Sequence, residues 1–325
     1  MTSQKVLVVT ALVLLASSAG RDSRAQDDYP NRPLRIVVGF TPGGGPDITA
    51  RHIAQRLAER LRQQVIVENR PGAGGTVAAG QVARSAPDGY TLLSVSSAHA
   101  AAAAIYANLP YDTLKDLAGI TETASSKYVL VVPPSLGIKS LSELVAAAKA
   151  RPGQINFSSA GVGSGTHFAA EIFKSMAAID VVHVPNKGIP EALNETVSGR
   201  VQFFMAPIAN GMNLVRDGRL LGLGVSSRAR DGLLPQVPTI DEAGVTGYQQ
   251  ELWFGLLGPA ALPRPILARL NSEIGRILAD EETKNRWAPI GMEPRPTSPE
   301  DFDRLIRSEV ELYTRIARAA NITAQ

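Results

Sequence analysis

Apolar residues along this chain alternate between two rhythms. Short runs at 34–40, 65–67 and 91–95 are apolar at most positions, the mark of strands buried on both faces. Between them the spacing lengthens: Ile53, Leu57 and Leu61 recur every four residues in a helix predicted from Asp47, and another helix is predicted from Thr76. A second unit opens near Lys127, with a strand at 128–132 closed by Pro133 and Pro134. Ser140 and Glu143 form a capping box ahead of an alanine-rich helix. Strands at 155–157, 181–184, 201–205 and 220–225 then alternate with helices near 166–177, 190–198 and 208–216. A last strand at 252–257 leads into Pro259 and a helical remainder, whose final helix starts at Ser298, Pro299 and Asp301 with a cap, an N1 proline and a first-turn acid.

This order predicts an α/β protein in two units, each a mostly parallel sheet flanked by helices. The middle unit is complete without the C-terminal helices, so the economical division is a discontinuous first domain, 29–126 plus 248–325, with a continuous second domain, 127–247, inserted. Crossovers near Lys127 and Tyr248 then form a two-segment hinge. Ligand sites in such sheets lie at the carboxyl ends of strands.

Two glycine-rich turns fall at such ends. The first runs from Phe40 through Pro42, Gly43, Gly44 and Gly45 to Asp47; the second runs from Ser158 through Gly161, Gly163, Ser164 and Gly165 to Thr166 and His167. Glycines also serve strand-to-helix loops simply by allowing positive φ. Here Ser96, Ser97, Ser158, Ser159, Ser164 and Thr166 accumulate at strand ends and helix starts, supplying uncharged hydroxyls. A helix N-terminus leaves about four amides unpaired and carries roughly half a positive charge, so two facing across a cleft would seat a small carboxylate. If Gly44 has positive φ, a β-branched residue there is strained as well as obstructive. Asp47 reads as a first-turn acid that could additionally hold an ammonium, and Thr166 as the cap of the second helix. Trp253 and Phe254 read as hinge core, and Arg70 as a cleft or surface residue.

The enzyme motifs fail. Val162 breaks the Gly-x-Ser-x-Gly elbow at Ser164, and Pro46 and Asp47 stand where a phosphate loop needs Lys and Ser/Thr. The third glycine of Gly161, Gly163 and Gly165 comes one residue early for a dinucleotide fingerprint, and no acid follows Val184. His52, His99, His167 and His183 lack metal-ligand spacing, and the absence of cysteine removes thiolate chemistry. No catalytic residue, cofactor or metal is therefore expected.

Residues 1–25 read as a cleaved export signal, with Lys5, an apolar run at 6–16 and Ser23-Arg24-Ala25 before the cut. The run is shorter than the roughly 20 residues a membrane span needs. Of the net charge of +3, Lys5, Arg21 and Arg24 against Asp22 account for +2. The mature chain is near neutral, which argues against nucleic-acid binding. Export without disulfides suits a periplasm.

Several runs resemble the Bug family, the periplasmic substrate-binding components of tripartite tricarboxylate transporters: Tyr29-Pro30-Asn31-Arg32-Pro33, Phe40-Thr41-Pro42-Gly43-Gly44-Gly45-Pro46-Asp47, Val67-Glu68-Asn69-Arg70-Pro71-Gly72-Ala73-Gly74-Gly75 and Pro87-Asp88-Gly89-Tyr90. Leu109-Pro110-Tyr111-Asp112, His183-Val184-Pro185, Lys187-Gly188, Pro235-Gln236-Val237-Pro238-Thr239 and Trp253-Phe254-Gly255 continue it in order along the mature chain. The resemblance implies a two-domain periplasmic-binding-protein fold of type II that closes on a small organic carboxylate, working as a monomer with membrane transporter subunits. Carried over, the ligand contacts are Phe40, Pro42, Gly43, Gly44 and Asp47 in the first domain and Ser164, Gly165, Thr166 and His167 in the second. Ser96 and Ser97 match the family's polar segment after the third strand. Many members have Tyr at Asn186 and an Asp-Asn pair near Ala206 and Pro207, so the distal pocket is not inherited. A ligand-sensing subunit, or more remotely an enzyme on this architecture, are the alternatives.

Overall fold

The computed structural model describes residues 29–323; the predicted signal at 1–25 lies outside them. The first part of the chain forms β1 (Leu34–Val38), α1 (Gly45–Leu61), β2 (Val65–Asn69), α2 (Thr76–Ala83), β3 (Thr91–Ser96), α3 (Ala98–Ile105) and β4 (Leu117–Val132). The middle forms α4 (Leu141–Ala150), β5 (Asn156–Ser159), α5 (Gly165–Ala177), β6 (Val182–Pro185), α6 (Ile189–Val197), β7 (Phe203–Pro207), α7 (Ile208–Arg216) and β8 (Leu221–Val225). The chain ends in β9 (Glu251–Pro259), α8 (Arg264–Ala279), α9 (Glu281–Trp287), β10 (Met292–Pro294) and α10 (Pro299–Ala319).

Strand order is β2-β1-β3-β9-β4-β7-β5-β6, with β8 and β10 also paired to β4. Parallel trios β2-β1-β3 and β6-β5-β7 occupy the two ends. Between them β4 and β9 run antiparallel to each other and to their outer neighbours, so the sheet is mixed rather than uniformly parallel. β4 is one strand of 16 residues. Its first part pairs with β9 and β10, and its last part with β7 and β8.

Burial on both faces explains the continuous apolar runs. Leu34, Ile36 and Val38 of β1 pack with Ile53 and Leu57 of α1 and with Leu270 and Ile274 of α8, while Val37 joins Ala78 and Val82 of α2 on the opposite side. In β4 the same alternation sends Val129 and Val131 towards Phe204 and Val225, and Leu130 and Val132 towards Phe203 and Met205. α10 joins the two ends, for its Tyr313 ring lies 4.5 Å from Phe168 of α5 while Phe302 stands edge-on to Trp253 at 5.4 Å.

Two elements carry no readable period. α3 is nearly all alanine, so no apolar stripe stands out against a polar face. The first part of β4 holds Thr121, Glu122, Thr123, Ser125 and Ser126, polar residues that are nonetheless buried because β9 and β10 flank them.

Candidate functional site

Both glycine-rich turns end on one face of β9. A Cβ on Gly45, the first residue of α1, would fall 2.3 Å from Cζ of Phe254. A Cβ on Gly165, the first residue of α5, would fall 2.5 Å from the Tyr128 hydroxyl, 3.2 Å from Ser97 Oγ and 3.7 Å from Leu252 Cδ1. Leu252 and Phe254 are alternate residues of β9 and project from the same face, about 7 Å apart along the strand. Close approach, not positive φ, is what demands glycine at both helix starts. Sequence reading missed Phe254 and Tyr128 as seats for these helices, because contacts across 209 and 37 residues leave no local trace.

The amides at these N-termini are available. Asp47 and Ile48 donate to the Gly44 carbonyl at 3.0 and 2.9 Å, and Pro46 has no N–H. Among the described residues, the Gly44 and Gly45 amides have no protein acceptor. In α5 the His167 amide bonds Ser164, whereas those of Gly165 and Thr166 are likewise unpaired. No charged side chain caps either helix, so each keeps its anion-attracting end.

Asp47 braces the first turn. One carboxylate oxygen accepts from the Gly43 amide and from Arg51 Nε, both at 2.9 Å. The other accepts from Asn69 Nδ2 at 2.8 Å and lies 2.9 Å from the second Arg51 nitrogen. These four donors match the four lone-pair sites of a carboxylate, leaving none for a ligand ammonium. Burial alone would push this carboxyl up, but the bonds from Arg51, Gly43 and Asn69 outweigh it and hold it below the usual range. Asn69 also donates to the Phe40 carbonyl at 3.0 Å, tying the turn to the end of β2. Gly44 has φ −77°, so the positive φ considered from the sequence belongs to Gly43, at +85°. Pro42 and Gly43 are exposed at the tip of the turn.

In the second turn the cap is Ser164, not Thr166: its Oγ accepts from the His167 amide at 3.2 Å. Thr166 lies inside the helix start, where its Oγ1 accepts from the Ala160 amide at 2.9 Å and pairs with Ser164 Oγ at 2.9 Å. The reason is one residue of register, since the helix begins at Gly165 and leaves Ser164 with the extended backbone a cap requires. The His167 side chain is buried and turned into its own unit, where Nδ1 accepts from the Gly163 amide at 3.2 Å.

Ser97 Oγ is buried and has no hydrogen-bond partner among the described residues, while its backbone amide donates to the Trp253 carbonyl at 3.1 Å. Ser96 Oγ accepts from Ala98 at 3.4 Å and, with Phe40, lines a small cavity beside Gly75, His99 and Tyr111. Burial lowers His99 to about 4, so it stays neutral. Trp253 and Phe254 are core, as expected, and Arg70 is exposed beside Glu68 at 3.6 Å.

The model of the tripartite tricarboxylate transporter receptor family matches residues 49–322. The chain belongs to this receptor family. BugT of Bordetella pertussis is 31% identical over 98% of this chain and 98% of its own length. A Rhodopseudomonas palustris protein solved with adipate is 32% identical, with a TM-score of 0.81 over 91% of this chain and 99% of that one. MatC of Rhodopseudomonas palustris, solved with bound malate, is also 32% identical, with a TM-score of 0.77 over 89% and 99%. The α/β architecture is thus the two-domain type II fold of periplasmic binding proteins. The receptor family binds solutes and is not catalytic, which agrees with the failed enzyme motifs.

Proposed function

We propose that this receptor is a periplasmic protein that captures a small organic carboxylate between two lobes, residues 29–126 plus 248–325 and residues 127–247, and delivers it to the membrane subunits of a tripartite transporter. The observation that carries the reading is the convergence of two helix N-termini with unpaired amides on Leu252 and Phe254 of β9. The donors such a site turns to a ligand are backbone amides and hydroxyls with partial positive charge, and the Asp47 carboxylate is already filled by Gly43, Arg51 and Asn69, so the site takes an anion without a protonation step. The solved relatives with adipate and malate support a carboxylate. Gly44, Gly165 and Thr166 supply the amides, with Phe40, Pro42, Gly43, Ser96, Ser97 and Ser164 around them. Asp47 and His167 act from behind as braces.

The mechanism is hinge closure. An anion bridging both helix ends binds the closed arrangement better than the open one, and this differential affinity shifts the population. No covalent step or second copy of the chain is required. The test is a thermal-shift screen of residues 26–325 against a panel of mono-, di- and tricarboxylates, acidic amino acids and aromatic acids. A member present at 100 times its dissociation constant adds about 2.7 kcal/mol of stability. A panel that leaves the melting temperature unchanged throughout would reject the carboxylate assignment.

A further inference from the structure

His183, singled out in the sequence but unused by the binding site, stacks on His167 beneath the second turn. The ring centroids are 3.8 Å apart and the planes are inclined by 12°. His183 Nε2 lies 2.6 Å from Ser159 Oγ. That hydroxyl also donates to the Gly161 carbonyl at 3.2 Å and accepts from the Gly161 amide at 3.1 Å. A hydroxyl has one proton to give and two lone pairs to offer, so donation by His183 Nε2 satisfies all three contacts at once, whereas in the opposite tautomer Ser159 gives its only proton to the ring and leaves the Gly161 carbonyl without it. In His167, Nδ1 accepts from the Gly163 amide, so Nδ1 is bare and the proton sits on Nε2, 3.8 Å from Glu171 Oε1.

We propose that His167 and His183 are the positioning pair of the second turn, holding the Gly161 and Gly163 amides inside the loop so that those of Gly165 and Thr166 remain for the anion. The assignment rests on the reading of this turn as the second-lobe seat of the carboxylate. It requires His167 neutral, since a proton on its Nδ1 would meet the Gly163 N–H head-on. The surroundings provide this. Phe157 of β5 covers His183 at 4.9 Å, and the charged groups that face the pair, Glu171 and Lys174, both belong to α5. Burial first, then the neighbouring ring and Lys174, lower His167 to about 3; burial and Lys174 lower His183 to about 4.

Ring 15N spectra of the ligand-free wild-type protein at pH 7 test the tautomers directly: protons are expected on Nε2 of both rings, and a protonated Nδ1 on His167 would overturn the pair. His183→Phe keeps a stacked ring but removes the donor. Its Gly161 amide should exchange at least about tenfold faster than wild type, while His183→Gln, which retains an N–H at similar reach, should restore protection. Acetate serves as the minimal carboxylate probe. It should shift the Gly165 and Thr166 amides in wild type and His183→Gln, and His183→Phe should need about tenfold more, the loss of one hydrogen bond's worth of order. Equal exchange and equal acetate response in wild type and His183→Phe would overturn the proposal. Wild-type amides that ignore acetate would instead sink the anion seat, leaving exchange and tautomers to decide the positioning role.

Discussion

Neighbouring glycines of the first turn differ in what a side chain would meet. A Cβ on Gly44 would stand 3.7 Å from the Thr41 carbonyl and 3.9 Å from Pro46, ordinary contact, and its φ of −77° suits any residue. Gly44→Val should therefore fold normally and lose ligand affinity, because a branched side chain covers the amides the anion needs; circular dichroism and calorimetric titration on one preparation check both halves. At Gly45 the same change drives into Phe254, so the damage there is to packing. Asp47 presents the opposite case. With its oxygens occupied by Gly43, Arg51 and Asn69, Asp47→Asn should cost about 1.5–3 kcal/mol of stability through the loss of charge-assisted bonds. Its lowered carboxyl contributes stability above the unfolded value near 3.9 and loses it as pH falls through the folded one. Denaturant unfolding at pH 7 and pH 3 should show the deficit of the variant shrinking at the lower pH.

The C-terminal helix α10 is the element that ties the crossing strands to α5. Its Glu309 accepts from Trp253 Nε1 at 2.7 Å, with Tyr313 beside it on the helix and Glu251 facing it from β9. Burial raises this carboxyl to about 7, the Trp253 and Tyr313 bonds oppose the rise, and Glu251 adds to it. In the unfolded chain a glutamate titrates near 4.3. The folded protein therefore holds the extra proton between those values, and stability falls as pH rises from about 4.3 to 7. Glu309→Gln keeps an oxygen for Trp253 and removes the titration. Relative to wild type, the variant should gain stability from pH 5 to pH 8 in urea unfolding; a constant difference would show that Glu309 does not titrate in that window. The buried polar residues of β4 belong to the same region, with Thr121 Oγ1 donating to the Thr297 carbonyl at 3.1 Å and accepting from the Thr297 amide at 3.0 Å.

Across the protein, the second turn approaches the opposite end of the fold, with Gly165 beside Ser97 and Gly163 beside Ile105 of α3. A Cβ on Gly163 would come within 2.2 Å of Ile105 Cδ1, and φ there is +78°. Gly163→Ala should therefore favour a more open arrangement. Small-angle scattering would report a larger radius of gyration without ligand, and titration with the carboxylate chosen by the screen would report weaker binding. A variant as compact and as tight as wild type would show that this contact does not set closure.

The residues alone determined what depends on near neighbours. Buried strands, helices with an apolar stripe, the Ser140 and Ser298 caps and the glycine turns at strand ends all follow from spacing within a few positions, and the ordered motifs carried the family. Three features had no such signature. The alanine helix α3 lacks a polar face to set its period, and the polar half of β4 is a buried strand because β9 and β10 flank it. The division of labour inside the turns also depended on the fold: Ser164 rather than Thr166 caps α5, Asp47 is filled by Arg51 and Asn69, and His167 leans on His183. The proposed site came from long-range packing, because Gly45 comes against Phe254 and Gly165 near Leu252 only where β9 returns between β3 and β4. Hydrophobic period specifies which face of an element is buried; which distant surface covers that face is settled when the whole chain packs.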